Sequence, residues 1–151
     1  MKPSIRLRVI TYLFAFSASA FSGLLLAQAP ELDFDFFKNE VQPIFLAKRE
    51  GNVRCIQCHT RSSNFRLQGL DEHQLFWTDE QSRMNFASAS QFVLAGAAPL
   101  RSRFMTHPLA ADVGGDPFHG GGKHFHSQFD PEWRIRADWV ADANPAGRQS
   151  V

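Results

Sequence analysis

At residues 55–59 the chain reads Cys55-Ile56-Gln57-Cys58-His59, and its 151 residues contain no other cysteine. The spacing C-x-x-C-H is typical of the covalent attachment of a c-type haem. Two thiols separated by two residues can form thioethers with the vinyl groups on one edge of a porphyrin, and the next imidazole can bind the iron as proximal ligand. The motif therefore predicts one haem c held by Cys55 and Cys58, with His59 on the iron.

Three other interpretations of this motif are weaker. A redox C-x-x-C usually belongs to a βαβ pattern, which the sequence lacks. A structural zinc site takes four ligands, and no second Cys or His pair at a matching spacing completes one here. A chance match is expected in about one chain per thousand of this length.

The first 29 residues have the layout of an export signal. Three basic residues precede residues 9–27, which carry no charge, as in a secretory signal peptide. That run is also about long enough to span a bilayer, so a retained membrane anchor stays open as an alternative. In either case we expect residues 30–145 to form one cytochrome-sized domain in the periplasm, followed by a disordered tail at residues 146–151.

The composition is that of a soluble globular protein. Hydrophobic residues make up 44% of the chain and the formal net charge is +1, so no basic field indicates nucleic-acid binding. No Ser-His-Asp set, pair of carboxylates or phosphate-binding loop can be recognised. We therefore expect neither an enzyme nor a small-molecule substrate.

A helix is predicted before the haem motif, within residues 33–49. Phe37, Val41, Ile44 and Phe45 recur there at the spacing of one helical face. Pro43 lies inside this segment, so we expect it to kink or divide the helix.

Two further helices are predicted after the motif. One begins at Thr78, where Gln81 completes a capping box, and runs to about Leu94 before Gly96. Its buried face would consist of Met84 or Asn85, with Phe86, Ala89, Phe92 and Val93.

The last helix is predicted over residues 132–143. Asp130 is expected as N-cap, with Pro131 in the first helical position and Glu132 in the first turn. Its apolar face would be formed by Trp133, Ala137 and Val140.

The exported part of the chain resembles a small monohaem cytochrome c domain of the type found in planctomycete and acidobacterial proteins. The resemblance covers about residues 33–142, and the haem motif is its most specific part. The other matching stretches are Val41-Gln42-Pro43-Ile44-Phe45, Ser102-Arg103-Phe104, His107-Pro108-Leu109, His119-Gly120-Gly121-Gly122, Asp130-Pro131-Glu132-Trp133 and Trp139-Val140.

This resemblance implies a cytochrome c-like, all-α fold in which the N- and C-terminal helices pack around the haem, with a long Gly-rich distal loop. It also implies transfer of single electrons to and from redox partner proteins. A haem subunit of a larger respiratory complex is an alternative that a membrane anchor would suit.

The residues leave the second axial ligand of the iron open. His119 begins a run of glycines that lets the backbone pass close to a flat cofactor, and the related modules have a matching His-x-Gly-Gly, so His119 is the first choice as distal ligand. The main alternatives are His107 and Met105, followed by Met84, His124 or an open position. An open position would indicate a haem enzyme or a gas sensor.

Aromatic residues are expected to bury the haem, and the chain without haem is expected to fold poorly. His73 lies in a polar run and is expected in solvent, while Lys123, Arg101 and Arg103 would either bind the haem propionates or be solvated. The phenylalanines expected around the haem are Phe34, Phe36, Phe37, Phe45, Phe65, Phe76, Phe86, Phe92, Phe104, Phe118, Phe125 and Phe129.

Overall fold

The computed structural model describes residues 31–61 and 63–141; the predicted signal or anchor at residues 1–29 and the tail at residues 146–151 lie outside these ranges. Within them the chain is helical and has no β-strand, which confirms the all-α prediction for this part. None of these helices is both long enough and apolar enough to cross a bilayer. The α-helices are α1 (Phe34–Phe36), α2 (Cys55–His59), α3 (Asp79–Ser90), α4 (Arg103–Thr106) and α5 (Pro131–Ala141).

The N-terminal helical segment changes type twice. Asp33 caps α1 by accepting a hydrogen bond from the backbone amide of Phe36 at 2.8 Å. The chain continues as a π-helix over Phe37–Val41 and as a 3-10 helix over Gln42–Leu46, and Pro43 lies in the first turn of the latter. The prediction that this proline divides the helix is confirmed. All four residues of the predicted apolar face are buried.

Helix α3 begins as predicted but ends earlier. Thr78 and Gln81 form the expected capping box, whereas the last helical residue is Ser90, so the predicted end near Leu94 was wrong. Beyond the helix, the backbone carbonyl of Phe92 accepts a hydrogen bond from the Phe104 amide at 3.0 Å, so it is not part of a continued helical ladder. Of the two residues left open for the buried face, Asn85 is buried and Met84 is exposed.

Helix α5 has the predicted cap and the predicted apolar face. The Asp130 carboxylate accepts hydrogen bonds from the amides of Glu132 at 2.9 Å and Trp133 at 3.2 Å. Trp133, Ala137 and Val140 are buried. The helix is described as far as Ala141, so its predicted last residues lie outside the described ranges.

The two ends of the described chain pack against each other. The Trp139 ring lies 5.0 Å from the Phe37 ring between centroids, and its Nε1 donates to the Asp33 carbonyl at 2.9 Å. A contact over 106 residues of sequence must be formed by tertiary structure rather than by local preference. It places α5 directly on the N-terminal helical segment.

Aromatic rings form a large part of the remaining core. The centroid of the Phe65 ring lies 5.5 Å from that of Phe45 and 5.8 Å from that of Phe104. Both contacts are edge-to-face, which is a favourable geometry for aromatic pairs. Three of the twelve phenylalanines expected around the haem have exposed side chains. Their exposed fractions are 67% for Phe76, 74% for Phe118 and 81% for Phe129.

Close backbone packing at Gly115 yields a test of the fold. A Cβ added there would lie 1.9 Å from the Leu109 carbonyl oxygen, whereas at Gly69 nothing lies within 4 Å. We expect Gly115→Ala to lower the free energy of unfolding by about 1–3 kcal/mol or more, since a backbone atom is in the way. Gly69→Ala should change it by less than about 0.5 kcal/mol. Urea unfolding followed by circular dichroism measures both, and equal stabilities would contradict the packing described.

Candidate functional site

Helix α2 consists of the five residues of the motif. Cys55, Cys58 and His59 occupy positions i, i+3 and i+4, which share one face of a helix. Cys55 is half-buried, Cys58 is exposed, and neither thiol is in a disulfide. Burial raises the pKa of the Cys55 thiol, although the charges of Arg136 and Arg49 act in the opposite direction. The two thiols are therefore free to form bonds on the side of the helix that carries the imidazole.

The His59 imidazole is held at one of its two nitrogens. Its Nδ1 lies 2.7 Å from the carbonyl oxygen of Phe65, and since a carbonyl only accepts hydrogen bonds, Nδ1 is the protonated nitrogen. Burial lowers the pKa of His59 below its usual value, which favours the neutral ring. A neutral imidazole with Nδ1 engaged in this way presents Nε2 as a metal ligand.

His119 is held in the same manner. Its Nδ1 hydrogen-bonds to the carbonyl oxygen of Gly122, and the turn that returns this carbonyl needs the left-handed conformation of Gly122, with φ of 86°. Burial also lowers the pKa of His119. This imidazole is therefore a second neutral ring whose Nε2 is not used by the hydrogen bond to Gly122.

The His59 and His119 rings are neighbours with nearly parallel planes. The centroids of the His59 and His119 rings are 6.3 Å apart, and the ring planes differ by 25°. Two imidazoles that bind one metal ion from opposite sides, each nitrogen at about 2 Å, have centroids about 6 Å apart once half of each ring is added. The observed centroid separation of 6.3 Å matches this distance.

The other candidate ligands lie in three different surroundings. His107 and His124 surround His119, with centroids 4.7 and 5.6 Å from it and ring planes nearly perpendicular to it. Met105 is fully buried in the core, and Met84 is exposed on α3. Of the histidines proposed from sequence, it is His119 that has a ring nearly parallel to that of His59.

His107 is paired with a carboxylate. Its Nδ1 lies 2.9 Å from the Asp116 carboxylate, and Lys123 donates to the backbone carbonyls of both residues. Burial alone would raise the pKa of Asp116, but hydrogen bonds with the side chains of His107 and Thr106 outweigh it and lower the pKa. Lys123 thus has backbone partners, while Arg101 and Arg103 are exposed.

The sequence did not predict the roles of two arginines, of which Arg136 is buried and Arg49 is half-buried. Arg136 is 4% exposed, donates to the Phe104 carbonyl, and lies 4.1 Å from the Phe104 ring centroid. Arg49 forms an ion pair with Glu132 and lies 5.0 Å from the Phe125 ring centroid. Arg136 falls between Trp133 and Ala137 on the apolar face of α5, and a charged residue at such a position was a signal available in the sequence.

Unpaired hydrogen-bond donors near the two arginines show whether these residues fit a haem. The Nε atoms of Arg49 and Arg136 and the Nε1 of Trp133 are buried without a hydrogen-bond acceptor among the described residues. Such donors are costly unless an acceptor binds them. A haem brings two propionate carboxylates, and it needs only two axial ligands because the porphyrin supplies the other four. The buried donors, the two thiols and the neighbouring imidazoles of His59 and His119 are the groups that a haem c needs.

No group of three or more His, Cys, Asp or Glu side chains in residues 31–61 and 63–141 has the geometry of a metal site. Comparison of the chain with protein-family models, with curated proteins and with solved structures finds no match.

The pair formed by His107 and Asp116 predicts a dependence of stability on pH. Because the pKa of Asp116 is lower in the folded than in the unfolded chain, the pair stabilises the fold above about pH 4 and this contribution is lost as the carboxylate becomes protonated. We expect Asp116→Asn to cost up to about 1 kcal/mol near neutral pH, and the difference from wild type should shrink below about pH 4.

Chemical unfolding at a series of pH values measures this difference. Asp112→Asn, which alters an exposed carboxylate nearby, is the control and should show no such trend. A difference between Asp116→Asn and wild type that stays constant down to about pH 3 would contradict the lowered pKa.

Proposed function

We propose that this protein is an exported c-type cytochrome that carries single electrons through one haem attached to Cys55 and Cys58. His59 and His119 would be its axial ligands. The observation that carries the proposal is the pair of nearly parallel imidazoles of His59 and His119, with centroids 6.3 Å apart, together with the two free thiols on the helix that carries His59. The protein would act in the periplasm, freely or held by its N-terminal segment, and exchange electrons with redox partner proteins.

The haem would supply an iron that alternates between Fe(III) and Fe(II). The chain's own residues fix the environment in which that happens. The Phe65 carbonyl accepts a hydrogen bond from Nδ1 of His59. This bond would make the imidazole more electron-donating and so favour the oxidised iron. The Phe45, Phe65 and Phe104 rings exclude water from the side of the core next to this histidine.

Arg136 has the opposite effect on the iron. Burial lowers its pKa to about 10, so the guanidinium remains charged at neutral pH. A buried positive charge disfavours the additional positive charge of Fe(III). The reduction potential would therefore depend on the balance between this charge, the carbonyl on His59, and the propionates that Arg136 and Arg49 would bind.

Covalent attachment gives the most direct test. We expect the mature wild-type chain to carry one haem by mass spectrometry, and the Cys55→Ser/Cys58→Ser variant to carry none. The variant should also unfold at a lower temperature, since a cofactor bound only to the folded chain stabilises that state. A wild-type chain without an added porphyrin, or a haem-free variant of equal stability, would count against the proposal.

The axial role of His119 is tested by spectroscopy. A chain ligated by His59 and His119 should be low-spin and bind carbon monoxide slowly, whereas His119→Ala should be high-spin and bind it readily. His126→Ala, at an exposed position, is the matched control. An unchanged low-spin spectrum in His119→Ala would move the assignment to His107, His124 or Met105. A high-spin wild type would favour the alternative of a haem enzyme or gas sensor.

A further inference from the structure

The segment Phe65–Gln68 lies between α2 and α3 and forms hydrogen bonds with both helices. Towards α2, the Phe65 carbonyl accepts from the His59 ring at 2.7 Å, and the Leu67 amide donates to the His59 carbonyl at 2.9 Å. Both ends of His59, its ring and its backbone, therefore bind to this one segment.

Towards α3, two side chains accept hydrogen bonds from the same segment. The Arg66 amide donates to Ser88 Oγ at 2.8 Å, and the Gln68 amide donates to Asn85 Oδ1 at 2.7 Å. These bonds alternate in direction with those made to His59, as neighbouring peptide groups do in an extended segment. Holding the amides of residues 66 and 68 against α3 consequently turns the Phe65 carbonyl towards His59.

The Asn85 side chain is held by a second set of hydrogen bonds, on the side away from residues 65–68. Its side chain is fully buried, and its Nδ2 donates to Gln42 Oε1 at 3.4 Å, while Gln42 Nε2 donates to Ser82 Oγ at 2.9 Å. A buried amide is costly unless its polar atoms are paired. This network explains why the predicted apolar face of α3 contains an asparagine and exposes Met84.

We propose that Asn85 and Ser88 are positioning residues for His59, acting through the backbone of residues 65–68. By holding the Phe65 carbonyl in place they select the tautomer with a proton on Nδ1 and set the orientation of the ring. The inference rests on the proposed function, because it concerns the environment of a histidine that binds iron. Neither residue contacts the imidazole, so each acts on the iron indirectly.

The test compares haem-loaded wild type with Ser88→Ala and with the double variant Asn85→Leu/Ser88→Ala. Long-range proton–nitrogen NMR of the reduced protein reports the His59 tautomer and the strength of its hydrogen bond. We expect the Nδ1 signal to shift progressively in the two variants. The reduction potential should become more positive in the same order, because a weaker bond to the carbonyl makes the imidazole less electron-donating.

Ser90→Ala is the matched control. Ser90 is also half-buried on α3, but its hydroxyl donates to the Phe86 carbonyl within that helix, so neither readout should move. Ser88→Thr retains a hydroxyl and should restore the wild-type potential. If the double variant does not fold, Ser88→Ala, which removes a single hydroxyl, decides the question.

The possible failures of the two proposals can be told apart. A haem-loaded Ser88→Ala protein with unchanged His59 signals and an unchanged potential would overturn the positioning role alone. An equal response in Ser90→Ala would overturn it as well, because the effect would then belong to α3 in general. A wild-type chain without haem would overturn the proposed function and, with it, this role.

Discussion

The hydrogen bond from His59 Nδ1 to the Phe65 carbonyl oxygen closes a loop of only six residues after α2. It leaves Nε2 as the ring nitrogen available to a metal ion. A carbonyl in a loop is a poor anchor by itself, because loop backbone is usually mobile. Here the same segment is bonded to α3 through Asn85 and Ser88, and the indole of Trp77 donates to the Gln68 carbonyl at 2.7 Å. The position of the His59 imidazole is thus linked to α3, a helix that does not contact the imidazole through any hydrogen bond of its own.

The aromatic core and the polar network around Asn85 contribute different properties to the fold, stability and direction respectively. Burial of Phe37, Phe45 and Trp139 supplies non-directional stabilisation and brings the two ends of the described chain together. It does not determine the direction of a carbonyl or an imidazole. Hydrogen bonds do so, since they are directional and an unpaired buried group is costly. The neighbouring imidazoles of His59 and His119 depend on both kinds of interaction.

Local signals in the sequence predicted the parts of the fold that local interactions determine. The capping box at Thr78 and the Asp130 cap each involve residues within three positions of one another, and the stripe from Phe37 to Phe45 follows from helical periodicity. The C-x-x-C-H motif can also be read directly from the sequence, because its residues are consecutive. The sequence could not predict that Asn85 would bind the Gln68 amide, or that Gly115 would pack on the Leu109 carbonyl, because those contacts depend on tertiary packing. The exposure of Phe76, Phe118 and Phe129 could not be predicted either, because the presence of a phenylalanine does not by itself say whether its side chain is buried.

The buried charge of Arg136 connects the fold with the proposed cofactor. Among the described residues no carboxylate forms an ion pair with it, because Glu132, one turn earlier on α5, is paired with Arg49. The ring faces of Phe104 and Phe125 and one backbone carbonyl compensate only part of the cost of removing a guanidinium from water. An anionic group bound beside Arg49 and Arg136 would neutralise the excess charge and accept hydrogen bonds from the unpaired Nε atoms. A haem propionate has this chemistry, so the feature that destabilises the polypeptide alone would stabilise it once the haem is attached.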